Sequence, residues 1–173
     1  AAVAGCGAYA KLEGFAFLPV TCFTQALSTF VGQNLGAGHH ARTKKGVAFG
    51  IVCSCTLAQL IGVFSYIFAP QLIAFFCEST EAIDFGVRHM RTICLFYALM
   101  AFSHCIAGIM RGAGDTMTPM WISLITTVAI RVPVAYGISW LTTTPELPHG
   151  QSVCIQISLL CSWVIGAVLT TVF

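Results

Sequence analysis

Four polar side chains interrupt otherwise apolar stretches of this sequence, and each has a chemistry of its own. They are Glu13 in "KLEGFAF", Gln25 in "FTQALS", His104 in "AFSHCIAG" and Arg131 in "AIRVPVAY". A carboxylate in apolar surroundings attracts a cation or exchanges a proton, and an imidazole can relay a proton near neutral pH. An arginine at such a position can line a cavity or gate it. We therefore treat these four residues as candidates for a substrate or ion cavity.

The composition places these residues in a membrane protein. Of the 173 residues only 8% are charged and 57% are hydrophobic, and the mean hydropathy is +0.87. A soluble domain of this size carries about a quarter charged residues. This chain cannot cover a water-exposed surface, so the sequence predicts an integral membrane protein.

Several other classes of protein are disfavoured. The eight Lys and Arg residues are too scattered to follow a nucleic-acid backbone. Most of the nine cysteines lie inside apolar runs, where Cys packs as a small hydrophobe, so we predict neither a disulfide framework nor a metal site. The sequence contains no HExxH or GxSxG motif and no acidic pair, so we predict that the chain is not an enzyme.

Five apolar stretches are long enough to cross a bilayer, since a spanning helix needs about 20 mostly apolar residues. Their continuous apolar character favours helices over the alternating strands of a barrel. Residues 70–77 continue the second stretch past Pro70 and are expected to form an interfacial turn or a short helix. The predicted fold is all-α integral membrane, with spans at about 8–32, 46–68, 90–110, 119–142 and 152–173.

The loops between these spans differ in charge and so predict an orientation. Loops 33–45 and 111–118 are basic, loop 78–89 is acidic, and loop 143–151 has no Lys or Arg. The first loop holds Arg42, Lys44 and Lys45. Since short basic loops remain in the cytoplasm, loops 33–45 and 111–118 are predicted to be cytoplasmic.

The tripeptide Gly-Ala-Gly occurs twice, at Gly36–Gly38 and at Gly112–Gly114, 76 residues apart. Both copies follow a predicted span that runs from outside to inside, and each precedes a polar stretch. Glycine permits a tight reversal and a close approach of backbones. A helix cap and turn explains each copy alone, whereas two copies in equivalent positions indicate a repeated helical hairpin.

These stretches carry a family resemblance. "FVGQNLGAGHHARTKKG" and "GIMRGAGDTMTPMWISLITTVAIRVPVAY" resemble the C-terminal lobe of MATE (multidrug and toxic compound extrusion) transporters. Within that family the chain is most similar to the bacterial branch named after DNA-damage-inducible protein F. The residues that match the family motifs are Gly32, Gln33, Asn34, Gly36, Gly38, Arg111, Gly112, Gly114 and Asp115.

The resemblance implies a fold and an activity. MATE proteins have twelve helices in two pseudo-symmetric six-helix lobes. They export organic, often cationic, compounds across the plasma membrane in exchange for Na⁺ or H⁺, by alternating access. This chain would supply helices eight to twelve and would bind substrate against an N-terminal lobe that the sequence does not contain. We therefore expect a partial lobe of a longer polypeptide, with no cofactor besides the coupling ion. The residues that would identify that ion lie in the missing part.

Each candidate residue also has a structural interpretation. Arg131, about 18 Å from the inner boundary at 1.5 Å per residue, either faces the cavity or bonds carbonyls freed by Pro133. Glu13, roughly 25 to 30 Å up by the same count, either binds cations or protons or pairs with Lys11 at the outer interface. His104 is either a proton relay or a buried histidine that bridges helices.

Two other functions remain open. A flippase of the same superfamily would move a lipid-linked saccharide, and it would need a more cationic cavity than one arginine provides. A membrane scaffold without transport activity has little reason to keep ionisable groups at depth.

Overall fold

The computed structural model describes residues 2–76, 79–141 and 153–172, and the regular structure in these ranges is helical. The helices are α1 (Ala2–Gly36), α2 (His40–Ile67), α3 (Ala69–Ala74), α4 (Thr80–Cys94), α5 (Tyr97–Gly112), α6 (Met117–Leu124), α7 (Val132–Leu141) and α8 (Val153–Val172). A π-helical segment, Ile125–Arg131, joins α6 to α7.

Several of these helices have the length and composition of membrane spans. Within the described ranges, Gly7–Gly36, His40–Ile67 and Met117–Leu141 are long and apolar enough to cross a bilayer, and α4 with α5 makes a fourth if the bent pair is one span. The apolar helix Gln156–Thr171 is shorter. The fold is that of an all-α membrane protein.

One predicted span falls across a break in the helix. The stretch 90–110 begins inside α4, passes the break at Leu95 and Phe96, and continues in α5, which is bent from α4 by 56°. The predicted loop 78–89 is also wrong for its described part, because α4 begins at Thr80. Charge and polarity place residues outside the hydrocarbon, but they do not prevent a helix from continuing into water.

The basic loop is shorter than the sequence predicts for the same reason. α1 continues to Gly36 and α2 begins at His40, so only a short turn separates them within the predicted loop 33–45. Pro70 lies in the first turn of the short helix α3, where a missing N–H costs nothing. The short-helix alternative for residues 70–77 is confirmed over α3. The predicted loop 143–151 lies outside the described residues.

The chain divides into two compact units, residues 1–115 and 116–173. In the first, α1 contacts α2, α4 and α5, and the core contains Val20, Val31, Ile73, Met90, Ile93 and Tyr97. In the second, the helix formed by α6, the π-helical segment and α7 packs on α8. Gly166 of α8 lies opposite Thr126 and leaves ordinary contact distance for a side chain.

Candidate functional site

The first Gly-Ala-Gly copy ends α1 in a Schellman motif. The N–H of His39 donates to the carbonyl of Asn34 (2.8 Å), and the N–H of Gly38 donates to the carbonyl of Leu35 (3.0 Å). Gly38 has φ +74°, the left-handed conformation that glycine adopts without strain. The Asn34 side chain is buried and donates to the Phe30 carbonyl, so it belongs to the helix end.

The second copy ends α5 with the same bonds. The N–H of Asp115 donates to the carbonyl of Met110 (3.0 Å), and the N–H of Gly114 donates to the carbonyl of Arg111 (3.1 Å). Gly114 has φ +97°. The repeat in the sequence is therefore a repeat in backbone geometry, and the third residue of each copy is the glycine that requires a positive φ.

Glycines also bring α1 and α5 into close contact. A β-carbon on Gly108 would meet Thr24, and one on Gly112 would overlap the Ser28 main chain. Gly32 faces the carbonyl oxygen of Gly112 in the same contact between α1 and α5, which we call the seam. Because both residue numbers rise together along the seam, α1 and α5 run parallel, as the close packing of small residues four apart permits.

The break between α4 and α5 is supported by polar side chains of α2. Gln59 Oε1 accepts a hydrogen bond from the N–H of Ala98 (3.4 Å), and the Cys55 thiol donates to the Ala98 carbonyl (3.6 Å). Backbone groups freed inside a bilayer must find partners within the protein. Two α2 side chains thus form hydrogen bonds with the first turn of α5, next to the helix break.

Glu13 lies beside this break in a polar cluster. The Tyr9 hydroxyl donates to Glu13 Oε1 (2.9 Å), and the Tyr9 ring meets the His89 ring edge-on at 4.6 Å. Tyr97, the first residue of α5, lies within interaction range of Tyr9 and Glu13, and its ring contacts Phe17 at 4.9 Å.

The members of this cluster are deeply buried except for the carboxylate. Tyr9, His89 and Tyr97 are 3%, 3% and 1% exposed, whereas Glu13 is partly exposed. His89 Nδ1 has no hydrogen-bond partner in the described part of the chain. The helix break therefore places a partly exposed carboxylate against a buried wall of hydroxyl and imidazole groups, an arrangement that can hold a cation or a proton.

Lys11, the predicted interfacial partner of Glu13, has a contact of its own. Its ammonium lies 5.7 Å from the centre of the Phe76 ring. Residues two apart project about 200° apart on a helix. Tyr9, one turn away on the same face, donates a hydrogen bond to Glu13.

Gln25 belongs to a polar stripe on the exposed face of α1. Its members follow one another every four residues and are all exposed: Thr21, Gln25, Thr29 and Gln33. A spacing of four keeps side chains on one helix face, and the stripe is about 18 Å long at 1.5 Å per residue. The two threonines donate to carbonyls of their own helix, so Gln25 and Gln33 are its principal polar groups.

The exposed face of α2 has the opposite character. It presents Phe49, Val52, Thr56, Leu60, Val63 and Ile67, which are apolar apart from one threonine. An apolar face fits lipid, whereas a row of polar groups in a spanning helix fits a water-filled cleft. The exposed face of α2 is therefore mostly apolar, whereas α1 exposes a polar stripe together with Phe15 and Leu18.

His104 and Arg131 are both exposed. His104 lies on α5, and neither interpretation of it, as a proton relay or as a bridging histidine, is tested by its exposure in this chain alone. Arg131 ends the π-helical segment two residues before Pro133, whose missing N–H disrupts α-helical bonding. Such segments often occur at functional sites. Glu13 lies in the unit of residues 1–115, and Arg131 lies in the unit of residues 116–173.

The motif residues lie at and just beyond the ends of α1 and α5. Gly36 has no neighbour within 4 Å of an added β-carbon, contrary to the close approach predicted for both copies. Gln33, Arg111 and Asp115 are exposed near the helix ends. No group of three or more metal-ligating side chains occurs in residues 2–76, 79–141 and 153–172.

Sequence reasoning missed most of the Glu13 cluster. Tyr9 lies four residues before Glu13, a spacing that could have revealed it. His89 was assigned to a loop, and Tyr97 lay within a continuous apolar run, so only the tertiary structure joins them. The stripe was detectable from its spacing of four.

Together, the parallel glycine-packed pair, the broken helix and the polar stripe define a lobe of a multipass membrane protein. A family model described as MatE matches residues 1–137, and the chain belongs to this family.

The chain is also similar to curated proteins of this kind. It is 28% identical over 140 residues to "Probable multidrug resistance protein NorM" of Thermotoga maritima, covering 78% of this chain and 30% of that protein. It is 28% identical over 140 residues to "Probable multidrug resistance protein YpnP" of Bacillus subtilis, covering 80% and 32%. With the "FAD transporter" of Shewanella oneidensis it shares 23% identity over 134 residues, covering 78% and 30%. The chain thus spans about a third of the length of these relatives.

A solved structure has the same fold. The chain superposes on "MATE transporter ClbM in complex with Rb+" with a TM-score of 0.81 and 20% identity, covering 99% of this chain and 39% of that one. The bacterial branch named after DNA-damage-inducible protein F stays a prediction.

Proposed function

We propose that this chain is the C-terminal lobe of a cation-coupled secondary antiporter that exports organic compounds across the plasma membrane. The proposal is supported by membership of the MatE family and by relatives named as multidrug resistance proteins. Substrate would bind between this lobe and a second one, and the two lobes would rock to expose the site to each side in turn. The protein would need no cofactor besides its coupling ion.

The observation that carries the proposal is the position of Glu13. Its carboxylate accepts a hydrogen bond from Tyr9 and lies beside the break that begins α5. Ionisable groups at membrane depth are costly and are kept where they bind ions or substrates, and broken helices build many transporter sites. Glu13 would take up Na⁺ or H⁺ in one state of the lobe and release it in the other.

The polar stripe of α1 is the proposed wall for substrate. Gln25 and Gln33 offer amide donors and acceptors, while the exposed Phe15 and Leu18 on the same helix offer apolar contact. Organic ligands are bound by mostly apolar surfaces with a few placed polar groups. Exposed His104, in the same unit, is a further candidate for this cavity, and exposed Arg131 is a separate candidate in the unit of residues 116–173.

The proposal is tested with Glu13→Gln in the full reading frame, reconstituted into proteoliposomes. We expect uptake of ethidium driven by a Na⁺ or H⁺ gradient to fall at least tenfold, because the variant keeps the shape and loses the charge. The control is Asp84→Asn, which removes an exposed carboxylate of α4 and should leave transport unchanged.

The transport measurement tests the role of Glu13 and the antiporter function separately. Gradient-driven transport that survives in Glu13→Gln would remove Glu13 from coupling. A wild-type protein that moves no organic cation under either gradient, while well folded, would overturn the antiporter function itself.

A further inference from the structure

A groove between the end of α1 and the start of α2 joins basic and aromatic side chains. It has a volume of about 530 Å³ and is lined by Phe30, Ala41, Arg42, Lys45, Gly46 and Phe49. The ring of Phe30 packs where Gly46 has no side chain, and Phe49 is 72% exposed. The lining of the groove is therefore mostly apolar, and Arg42 and Lys45 bring two positive charges to it.

The two positive charges of this groove are unpaired as far as the described residues show. Neither Arg42 nor Lys45 forms an ion pair with a residue in the described ranges. A second concavity of about 420 Å³ adjoins at Arg42, along the turn from Gly38 to Ala41. The first turn of α2 contains no acidic residue, and no side chain caps it. Two cations and an uncapped helix start thus favour an anion here.

The groove lies where α2 changes from charged to uncharged residues, which is where the border between headgroups and hydrocarbon is expected. The uncharged part of α2 begins at Gly46, directly after Lys45. Arg42 and Phe49 are about 10 Å apart along the helix axis, enough to extend from one interfacial layer of roughly 5 to 8 Å into the hydrocarbon. A ligand that fills the groove must carry its charge at one end and an apolar chain at the other.

We propose that this groove binds the headgroup of an anionic glycerophospholipid from the adjacent leaflet. Arg42 and Lys45 would bind the phosphate, and Phe30 and Phe49 would pack against the upper acyl chains. Basic pockets between membrane helices recognise anionic headgroups in this way. The proposal depends on the membrane placement of α1 and α2 and does not depend on transport activity.

The test measures lipid binding to the protein expressed from its full reading frame. Native mass spectrometry in detergent, titrated with phosphatidylglycerol or phosphatidylcholine, gives the affinity for each lipid. We expect Arg42→Gln and Lys45→Gln each to weaken phosphatidylglycerol binding about fivefold, which corresponds to about 1 kcal/mol per charge near the surface. Phosphatidylcholine binding should not change.

Lys44→Gln is the matched control, because Lys44 is an exposed neighbour of equal charge that does not line the groove. Phe49→Ala separates a lipid from a free phosphate. Phe49→Ala should weaken the binding of phosphatidylglycerol. Glycerol 3-phosphate, which has no acyl chains, should compete with phosphatidylglycerol only weakly, and equally in the wild type and the variant.

Two results would overturn the proposal. Equal losses in the Arg42, Lys44 and Lys45 variants would show a diffuse attraction of the basic turn for anionic lipid. Unchanged phosphatidylglycerol binding in both groove variants would show that the lipid binds elsewhere. Fluorescence-detected gel filtration of every variant confirms that the proteins compared are folded.

Discussion

Gly112 lies so close to the main chain of Ser28 that a β-carbon at position 112 would overlap the Ser28 carbonyl. We expect Gly112→Ala to lower the free energy of unfolding by about 1 to 3 kcal/mol, the usual cost of overpacking. Gly36→Ala is the control, because its β-carbon meets nothing within 4 Å. Unfolding of the full-length protein in detergent measures the stability of both variants. Equal stability would contradict the close packing of Gly112 against Ser28.

The two Schellman glycines give a second prediction. Gly38→Ala and Gly114→Ala should each destabilise the protein by about 1 kcal/mol, because alanine is strained at positive φ. Asparagine tolerates that conformation better, so Gly38→Asn and Gly114→Asn should recover part of the loss. The measurement is the midpoint of thermal unfolding. Alanine and asparagine variants of equal stability would show that the left-handed conformation is not the cause.

Tyr9→Phe removes the hydrogen bond from Tyr9 to the Glu13 carboxylate and the interaction of the same hydroxyl with Tyr97. Hydrogen bonds to charged groups contribute about 1.5 to 3 kcal/mol, so we expect the ion concentration for half-maximal transport to change about tenfold or more. Tyr66→Phe is the control, since Tyr66 is exposed on α2 and packs against Arg91. If the ion dependence of transport is unchanged in Tyr9→Phe, Tyr9 takes no part in coupling transport to the ion.

The different faces of α1 and α2 predict opposite responses to polarity. Gln25→Leu should fold normally and reduce export of organic cations, because it interrupts the polar stripe of α1. Leu60→Gln introduces the reverse change on the apolar face of α2, and it should lower expression and leave specific transport intact. The measurements are transport rate per molecule and yield of folded protein. Normal export by Gln25→Leu would place the stripe away from the substrate.

Orientation remains to be tested, and cysteine accessibility tests it. A cysteine in K44C should react with an impermeant thiol reagent only after cells are permeabilised, whereas one in D84C should react in intact cells. Both positions are exposed, and the unsubstituted protein controls for native thiols. Labelling of K44C in intact cells would invert the predicted topology.

The sequence predicted the class of fold because long uncharged runs leave no alternative to membrane helices. It did not predict the break at Leu95 and Phe96, since "ICLFYALM" is apolar and contains neither Gly nor Pro. Contacts from Cys55 and Gln59, distant in the chain, accompany that break. Local sequence cannot show such contacts.

The glycine copies show a second limit of sequence reasoning. They are identical as tripeptides, and both form the predicted helix end. Gly36 and Gly112 nevertheless differ, because the end of α5 lies beside Ser28 and Gly32, about one to two turns before α1 ends. α1 therefore continues past the end of α5, and Gly36 lies in the part of α1 that α5 does not contact. The repeated tripeptide predicted the shared backbone geometry of the two helix ends. The packing around each first glycine depended instead on where the neighbouring helix ends.

The π-helical segment Ile125–Arg131 affects how this region can be compared between proteins. Each π turn contains an additional residue relative to an α turn, since its hydrogen bonds span five residues instead of four. Side chains before and after the segment consequently do not lie on the faces that an uninterrupted α-helix would give them. A relative that lacks one residue here could keep Trp121 and Trp140 on equivalent faces with an α-helix in between. Alignments of this helix should therefore place a single-residue gap within 125–131 rather than at its ends.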